Sequence, residues 1–460
     1  MPSETTIQNF RATLQGQSFR PGEPGYDEVR TVPNAMIDRR PAIIARCISA
    51  ADVIACVHFA RNEGVTLSVR GGGHSVAGKS VIDDGLMIDL SAMKSIRVDP
   101  RRRTARAEPG LTLGEFDRNT QAFGLATTLG VVPKVGIAGL TLGGGFGHLM
   151  AKHGLALDNL ISVDVVTADG RLLTAHAEEN TDLFWGVRGS SGNLGIVTSL
   201  KYRLHEVGPV LGGVVMHPVA RASEVLRFCR DYARTLPDEA VIQGGALTGP
   251  DGTKLFAVAA FYCGPSLAEG EKVLDPLRKF GPPVADMISR MSYLEIQRFF
   301  EPFFPPGRHT YTKSNFLREL DDEAIDTMAQ WAGKSPSPTT FAPFFEHWHG
   351  AVCRVGVSDT VFPHRNHSWN VFAWSTWTDA ADTEKNLRWT REFWAAMRPH
   401  LTGGSYVNYV SDEGEASARA SYGPNYERLL ALKSKYDPTN LFRMNHNVPP
   451  LTAASAPRTA

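Results

Sequence analysis

Three glycine-rich tracts limit what this chain can fold into more than any other feature. They are "RGGGHS" at 70–75, "GIAGLTLGGGFG" at 136–147 and "GSSGNLG" at 189–195. Glycines set between apolar runs serve tight turns, or let backbone come unusually close to another group. Clustered backbone N–H groups with no Cβ in the way also make a cradle for an extended anion such as a pyrophosphate. Three such tracts in one region favour the cradle and make a nucleotide cofactor the leading expectation. The dinucleotide signature is absent: G-x-G-x-x-G would need glycine at 148, where His148 stands.

Bulk properties exclude several classes. A chain of 460 residues predicts two or three domains, and 42% hydrophobic residues are enough for a sizeable core. Lys plus Arg and Asp plus Glu both number 48, so there is no basic footprint for nucleic acid. Five scattered cysteines (47, 56, 229, 263 and 353) form no CxxC pair, which argues against disulfides and against a metal site. No apolar run is long enough to span a membrane and the first residues lack a signal-like core, so a soluble, cytoplasmic protein is expected.

Local patterns divide the chain. "PAIIARC", then a helix opened by Ser49 and stopped at Gly64, then "VTLSVR" make a βαβ unit that runs into the triple glycine. "LMIDL", "SIRVDP" and "TARAEPG" read as strands, Thr112–Gly124 as a helix, and "ISVDVVTADGRLLT" as a hairpin. After about residue 206 the glycine tracts vanish. Helical segments such as "ASEVLRFCRDYARTL" alternate with aromatic strands such as "WNVFAWSTW", which predicts an antiparallel sheet backed by helices. Near the C-terminus, "SYVNYVSD" reads as a strand, placing Tyr406 and Asn408 on one face and Val407 and Tyr409 on the other.

"RGGGHSVAG", "VPKVGIAGLTLGGGFGHLMAKHGLALDNL" and "DLFWGVRGSSGNLGIVT", in that order, resemble the FAD-linked oxidases of the vanillyl-alcohol oxidase/p-cresol methylhydroxylase type. The tail "YVNYVSDEG…YGPNYERLLALKSKYDPTNLFRMNHNVPP" resembles the berberine-bridge-enzyme C-terminal segment. The resemblance implies an α+β fold. An FAD-binding domain of two α/β subdomains would cover 1–205, a substrate domain 206–404, and a berberine-bridge-like segment 405–460 would return to the first domain. It further implies FAD held by Arg70, Gly71, Gly72, Gly73, His74 and Ser75; by Val135, Gly136, Gly139, Leu140, Gly143, Gly144, Gly145 and Gly147; by Gly195, Ile196 and Val197; and by Asn408 and Asn447. His74 would be bonded to the 8α-methyl carbon of the flavin, which makes the flavin a stronger oxidant. Relatives that attach the flavin twice use a cysteine where this chain has Val132, so a single covalent bond is expected.

The resemblance also assigns catalytic positions. Tyr409 matches the tyrosine base of sugar-oxidising relatives and needs a cation, a second hydroxyl or the flavin edge to lower its pKa from near 10. Val135 matches the small residue that leaves room for oxygen beside the flavin C4a. His349 stands where relatives have glycine and is a candidate second acid/base. "WNVFAWSTW", the strand that carries an acidic side chain in relatives, offers no carboxylate here. The expected activity is oxidation of a C–OH or C–NH carbon with O2 reduced to H2O2. A dehydrogenase using another acceptor, or a flavin-binding protein without turnover, is the alternative. The aromatic runs "FFEPFFPPGRHTYTKSNF" and "FAPFFEHWH" suit an alcohol or amine with an apolar or aromatic part. Monomer and homodimer are both consistent with the sequence.

Overall fold

The computed structural model describes residues 2–249, 251–411 and 415–451. Its first layer is a four-stranded sheet built from β1 (Gln17–Phe19), β2 (Ile43–Arg46), β3 (Leu67–Arg70) and β4 (Leu86–Asp89), in the order β1-β2-β4-β3. β2 and β3 both run parallel to β4. The crossover between them is α1 (Ala50–Glu63). The Ser49 side chain accepts the Asp52 N–H at its start, and Gly64 ends it in a left-handed conformation. The triple glycine therefore leaves from the carboxyl end of a parallel strand, where ligand crevices form in such sheets.

A second, antiparallel sheet comprises β5 (Ile96–Asp99), β6 (Thr104–Ala107), β7 (Leu160–Val166), β8 (Leu172–His176) and β9 (Ile196–Arg203), ordered β5-β6-β9-β7-β8. β7 and β8 form the hairpin expected from the alternating pattern. Between β6 and β7 lies α2 (Leu113–Gln121), whose Thr112 and Glu115 complete a reciprocal capping box. The short helix α3 (Ile137–Gly143) begins the second glycine tract.

Leu125–Ala126 and His205–Glu206 pair as a small two-stranded sheet, and the other strands join one eight-stranded sheet. Its long members are β10 (Val210–Pro218), β11 (Ala240–Thr248), β12 (Lys254–Tyr262), β13 (His309–Phe316), β14 (Phe341–His347) and β15 (Trp369–Trp377), ordered β10-β12-β11-β14-β15-β13. One face is buried under helices: Val225, Leu226, Leu274, Ile325, Met328, Phe393 and Met397 pack against Val215, Ile242, Phe256, Val258, Phe345 and Val371. Each such side chain contributes roughly 1.5–3 kcal/mol on burial. Because strand side chains alternate, the neighbouring residues Val214, Gln243, Ala259, Phe344, Glu346, Phe372 and Trp374 face the other way and line a cavity.

The chain then returns to its first region. Val407, Tyr422, Leu429 and Val448 are buried in one cluster with Phe116, Ile137, Leu142 and Val197. The last nine residues of the expected C-terminal segment, 452–460, lie outside the described residues.

Candidate active site

The cavity has a volume of roughly 410 Å³ and lies between the sheet face and the glycine tracts. Gly71, Gly72, Gly73, His74 and Ser75 form part of its wall, with Val135, Gly136, Gly139 and Leu140 and with Gly195, Ile196 and Val197. Gly72 and Gly136 face each other where the two tracts cross. A Cβ on Gly72 would lie 2.4 Å from the Gly136 nitrogen, so any side chain would force the tracts apart.

Several of the other expected cofactor residues do other work. Gly143, Gly144, Gly145 and Gly147 do not line the cavity; they let backbone approach neighbouring chain. A Cβ on Gly143 would sit 2.1 Å from Asn408 Oδ1, on Gly145 2.2 Å from the Ala156 Cβ, and on Gly147 1.6 Å from the Leu129 carbonyl oxygen. The space above Gly144 is filled by the Tyr406 ring. The backbone N–H groups of Gly145 and Phe146 donate to the Tyr406 hydroxyl at 2.9 and 3.1 Å, and Asn408 Nδ2 donates to it at 2.9 Å. The tract thereby fixes Tyr406 and Asn408, and Asn408 lines the cavity. Arg70 is turned away from the cavity and donates to the Val29 carbonyl oxygen. From the tail, Asn445 and His446 reach the cavity wall in place of Asn447.

His74 is held by a hydrogen bond to the Lys134 backbone. Burial, reinforced by the Arg70 and Lys134 charges, pushes its pKa down to about 4, so its imidazole is neutral at pH 7. Val132 and Val135 both line the cavity. His349 does not. Its Nε2 lies 3.3 Å from the Pro237 carbonyl oxygen and its ring stacks on His347, outside the wall. The strand β14 ends at His347, so His349 lies beyond the stretch whose alternation faces the cavity.

The expected strand over "SYVNYVSD" is instead a 3₁₀ turn at Val407–Tyr409. The Tyr409 N–H donates to the Tyr406 carbonyl at 2.9 Å, and Thr312 Oγ1 donates to the Tyr409 carbonyl at 2.6 Å. Tyr406 and Tyr409, assigned to opposite faces by the alternating pattern, consequently meet edge to face with ring centroids 4.8 Å apart. Tertiary anchoring of the Tyr406 hydroxyl overrides the alternation.

The turn aims Tyr409 at a residue the sequence reading missed. Its hydroxyl donates to Glu346 Oε1 at 2.8 Å. Glu346 Oε2 accepts from Asn370 Nδ2 at 2.9 Å and from Trp348 Nε1 at 3.2 Å. The carboxylate absent from β15 is thus supplied by the adjacent β14, and β15 contributes Asn370 as its partner. Glu346 is 1% exposed, and desolvation raises its pKa to about 7 despite the three donors. Burial, with the Glu346 charge, raises the Tyr409 phenol well above its ordinary value. Glu346 was hidden inside "FAPFFEHWH", a run read only for its aromatic residues; an isolated acid on a strand's cavity-facing parity was the available signal.

Several buried polar atoms on the cavity wall still lack partners among the described residues, Ser68 Oγ, Ser80 Oγ and Asn445 Oδ1 among them. Away from them the wall is aromatic, with Phe299, Phe300, Phe303, Phe304, Phe341, Phe344, Phe372 and Trp374. A long ligand with a polar, hydrogen-bonding portion beside the glycine tracts suits this lining.

Comparison with known proteins accounts for it. Residues 41–176 match a family described as an FAD binding domain, and residues 405–449 match one described as berberine and berberine like. An FAD-linked oxidoreductase of Dictyostelium discoideum is 31% identical, covering 97% of each chain. (R)-6-hydroxynicotine oxidase of Paenarthrobacter nicotinovorans is 31% identical, covering 95% of this chain and 97% of its own. The solved structure of 6-hydroxy-D-nicotine oxidase from Arthrobacter nicotinovorans superposes with a TM-score of 0.87 at 30% identity, covering 95% of this chain and 98% of that one. FAD fits the residues present: Gly71, Gly72, Gly73 and Gly136 line the cavity with backbone, a Cβ on Gly139 would project into open space there, and the unpartnered Ser68 and Asn445 atoms await polar partners. With this likeness extending over nearly the whole chain, the protein belongs to the FAD-linked oxidoreductases of the berberine-bridge-enzyme-like family.

Proposed function

We propose that the protein is an oxidase that removes two electrons and two protons from a C–OH or C–NH group of a small molecule with an aromatic or apolar part, giving C=O or C=N, and passes the electrons to O2 to form H2O2. The observation that carries this reading is the Tyr409–Glu346 pair on the cavity wall. FAD, when bound, supplies the two-electron acceptor. The phenol of Tyr409 accepts the substrate's O–H or N–H proton as it gives its own proton to Glu346 Oε1, so charge never rests on an unpartnered phenolate. Asn370 and Trp348 hold the carboxylate in the rotamer that receives this proton. The carboxylate supplies the activation for which a cation, a second hydroxyl or the flavin had been expected. The aromatic wall positions the ring of the substrate and excludes water.

His74 serves as the single covalent tether. Its neutral imidazole retains the lone pair that bond formation needs, and Val132 has no sulfur for a second link. Val135, small and on the cavity wall, keeps the approach open for oxygen. The presence in the family of a hydroxynicotine oxidase, together with carbohydrate oxidases among the solved structures, supports an alcohol or amine as substrate class. One experiment tests the reading. Purified protein is assayed for peroxide over a panel of aromatic alcohols, amines and sugars, and its peptides are mapped by mass spectrometry. Stoichiometric peroxide and one flavin on the His74 peptide are expected. Flavin reduction without peroxide, with turnover only when an added dye is reduced instead of O2, would make the protein a dehydrogenase, and an unmodified His74 in flavin-replete protein would remove the tether.

A further inference from the structure

Gln243 stands directly opposite Glu346 in the β11–β14 register, while Asn370 stands opposite Glu346 on its other side. The sheet therefore lays out a polar row, Gln243–Glu346–Asn370, of which Gln243 and Glu346 line the cavity. The next row two residues along, Phe344 beside Phe372, is aromatic. Within the polar row, Glu346 is bonded to Asn370, Trp348 and Tyr409. Thr376, further along the same face, is bonded to Thr339. Gln243 is different. It lines the cavity and is only 4% exposed, yet its Nε2 has no hydrogen-bond partner among the described residues.

A buried amide that serves the fold is satisfied by the fold; one left unsatisfied is a standing cost that needs another explanation. A partner that arrives from the cavity provides it. We propose that Gln243 is a specificity-determining residue, whose side-chain amide hydrogen-bonds a second heteroatom of the substrate beside the group that Tyr409 deprotonates. Opposed residues on adjacent antiparallel strands have Cβ atoms about 5 Å apart, so the Gln243 amide lies within side-chain reach of the group held between Tyr409 and Glu346. The favoured substrate class is thus an aromatic molecule with two neighbouring polar groups, such as an aryl 1,2-diol or amino alcohol. Amide and substrate form a hydrogen bond and exchange no proton or electron. The proposal rests on the oxidase reading only in placing the reacting group at Tyr409.

The test uses the flavin-loaded full chain and two probes that share a benzylic alcohol, 1-phenylethane-1,2-diol and 1-phenylethanol. Binding is read from the perturbation of the visible flavin spectrum, turnover from anaerobic flavin bleaching, and stability from the thermal midpoint, each for wild type and Gln243→Leu. Wild type should bind the diol at least about tenfold more tightly than the mono-alcohol, the scale on which a site built for a hydroxyl rejects an analogue lacking it. Gln243→Leu should bring the two affinities within about twofold and unfold at the same temperature or higher. Binding of neither probe, no preference in wild type, or a preference that survives in the variant would overturn the proposal. So would a lowered midpoint with the preference intact, which marks a purely structural amide. A Gln243-dependent preference in binding without flavin bleaching would sustain this proposal and overturn the oxidase reading.

Discussion

At the scale of single residues, the proton path is set by one carboxyl with an unusual affinity. Glu346 is a proton acceptor only when ionised, and its pKa stands at about 7. Substrate-driven flavin reduction should therefore rise about tenfold per pH unit up to pH ~7 and level off above it. Glu346→Gln should abolish that slope, and Tyr409→Phe should slow reduction by roughly 10²–10⁴-fold with little loss of substrate affinity. Anaerobic stopped-flow across pH 5–9 measures both. A wild-type profile in Glu346→Gln would remove the carboxylate from the mechanism. The tyrosine was legible from its neighbours in the chain. The carboxylate was not, because its donors Trp348, Asn370 and Tyr409 come from β14's end, β15 and a turn 63 residues further on.

Between elements, the same chemistry appears without a reaction to serve. α2 packs against a short helix, α4 (Tyr293–Gln297), through a buried hydrogen bond from Gln297 Nε2 to Asp117 Oδ2 at 2.8 Å. Asp117 is fully buried, and desolvation lifts its pKa to about 7. A carboxyl whose pKa is raised by folding binds its proton more tightly in the folded state, so its stabilisation is complete below the unfolded value near 4. That stabilisation is lost as pH rises through about 7. Asp117→Asn keeps the hydrogen bond and removes the ionisation. Its thermal midpoint should exceed wild type at pH 8, with the gap closing toward pH 5. A constant gap across that range would show that Asp117 does not titrate there. Elements themselves were readable wherever the deciding signal is local, as with Ser49 and Gly64 around α1 or Thr112 and Glu115 at α2. The segment at 405–411 was misread because its deciding bonds, from Gly145, Phe146 and Thr312, are all distant in sequence.

For the whole molecule, the C-terminal segment is what closes the cofactor region. α5 (Tyr426–Tyr436) buries Lys433, and Lys433 Nζ donates to the Asn193 carbonyl at 3.0 Å, to the Phe442 carbonyl at 2.8 Å and to Asp437 Oδ2 at 2.7 Å. Asn193 belongs to the third glycine tract, while Phe442 leads to Asn445 and His446 on the cavity wall. One ammonium thus joins two cavity-forming segments 240 residues or more apart along the chain from one another's anchors. Lys433 and Asp437 are both fully buried. Lys433→Met would strand the Asp437 carboxylate, and breaking a buried pair in this way costs about 3–5 kcal/mol. Urea unfolding should show a loss of that size together with faster release of flavin from any fraction not covalently held. Wild-type stability in this variant would mean that the tail is held by its apolar contacts alone.

What the sequence by itself determined is whatever depends on near neighbours: the βαβ unit feeding the triple glycine, the capped helices, the alternation that splits each strand of the large sheet into a helix-packed and a cavity-facing side, and the family to which the motifs belong. Those features follow from backbone geometry and burial within a few residues. Tertiary structure alone decided which glycines face the cavity and which admit a neighbouring chain, since a missing Cβ looks the same in either case. It decided that His349 lies outside the wall, and that Glu346 and Gln243 stand side by side at its polar end. Desolvation and hydrogen bonding depend on distance in space, and here the groups that set them are separated by scores of residues along the chain.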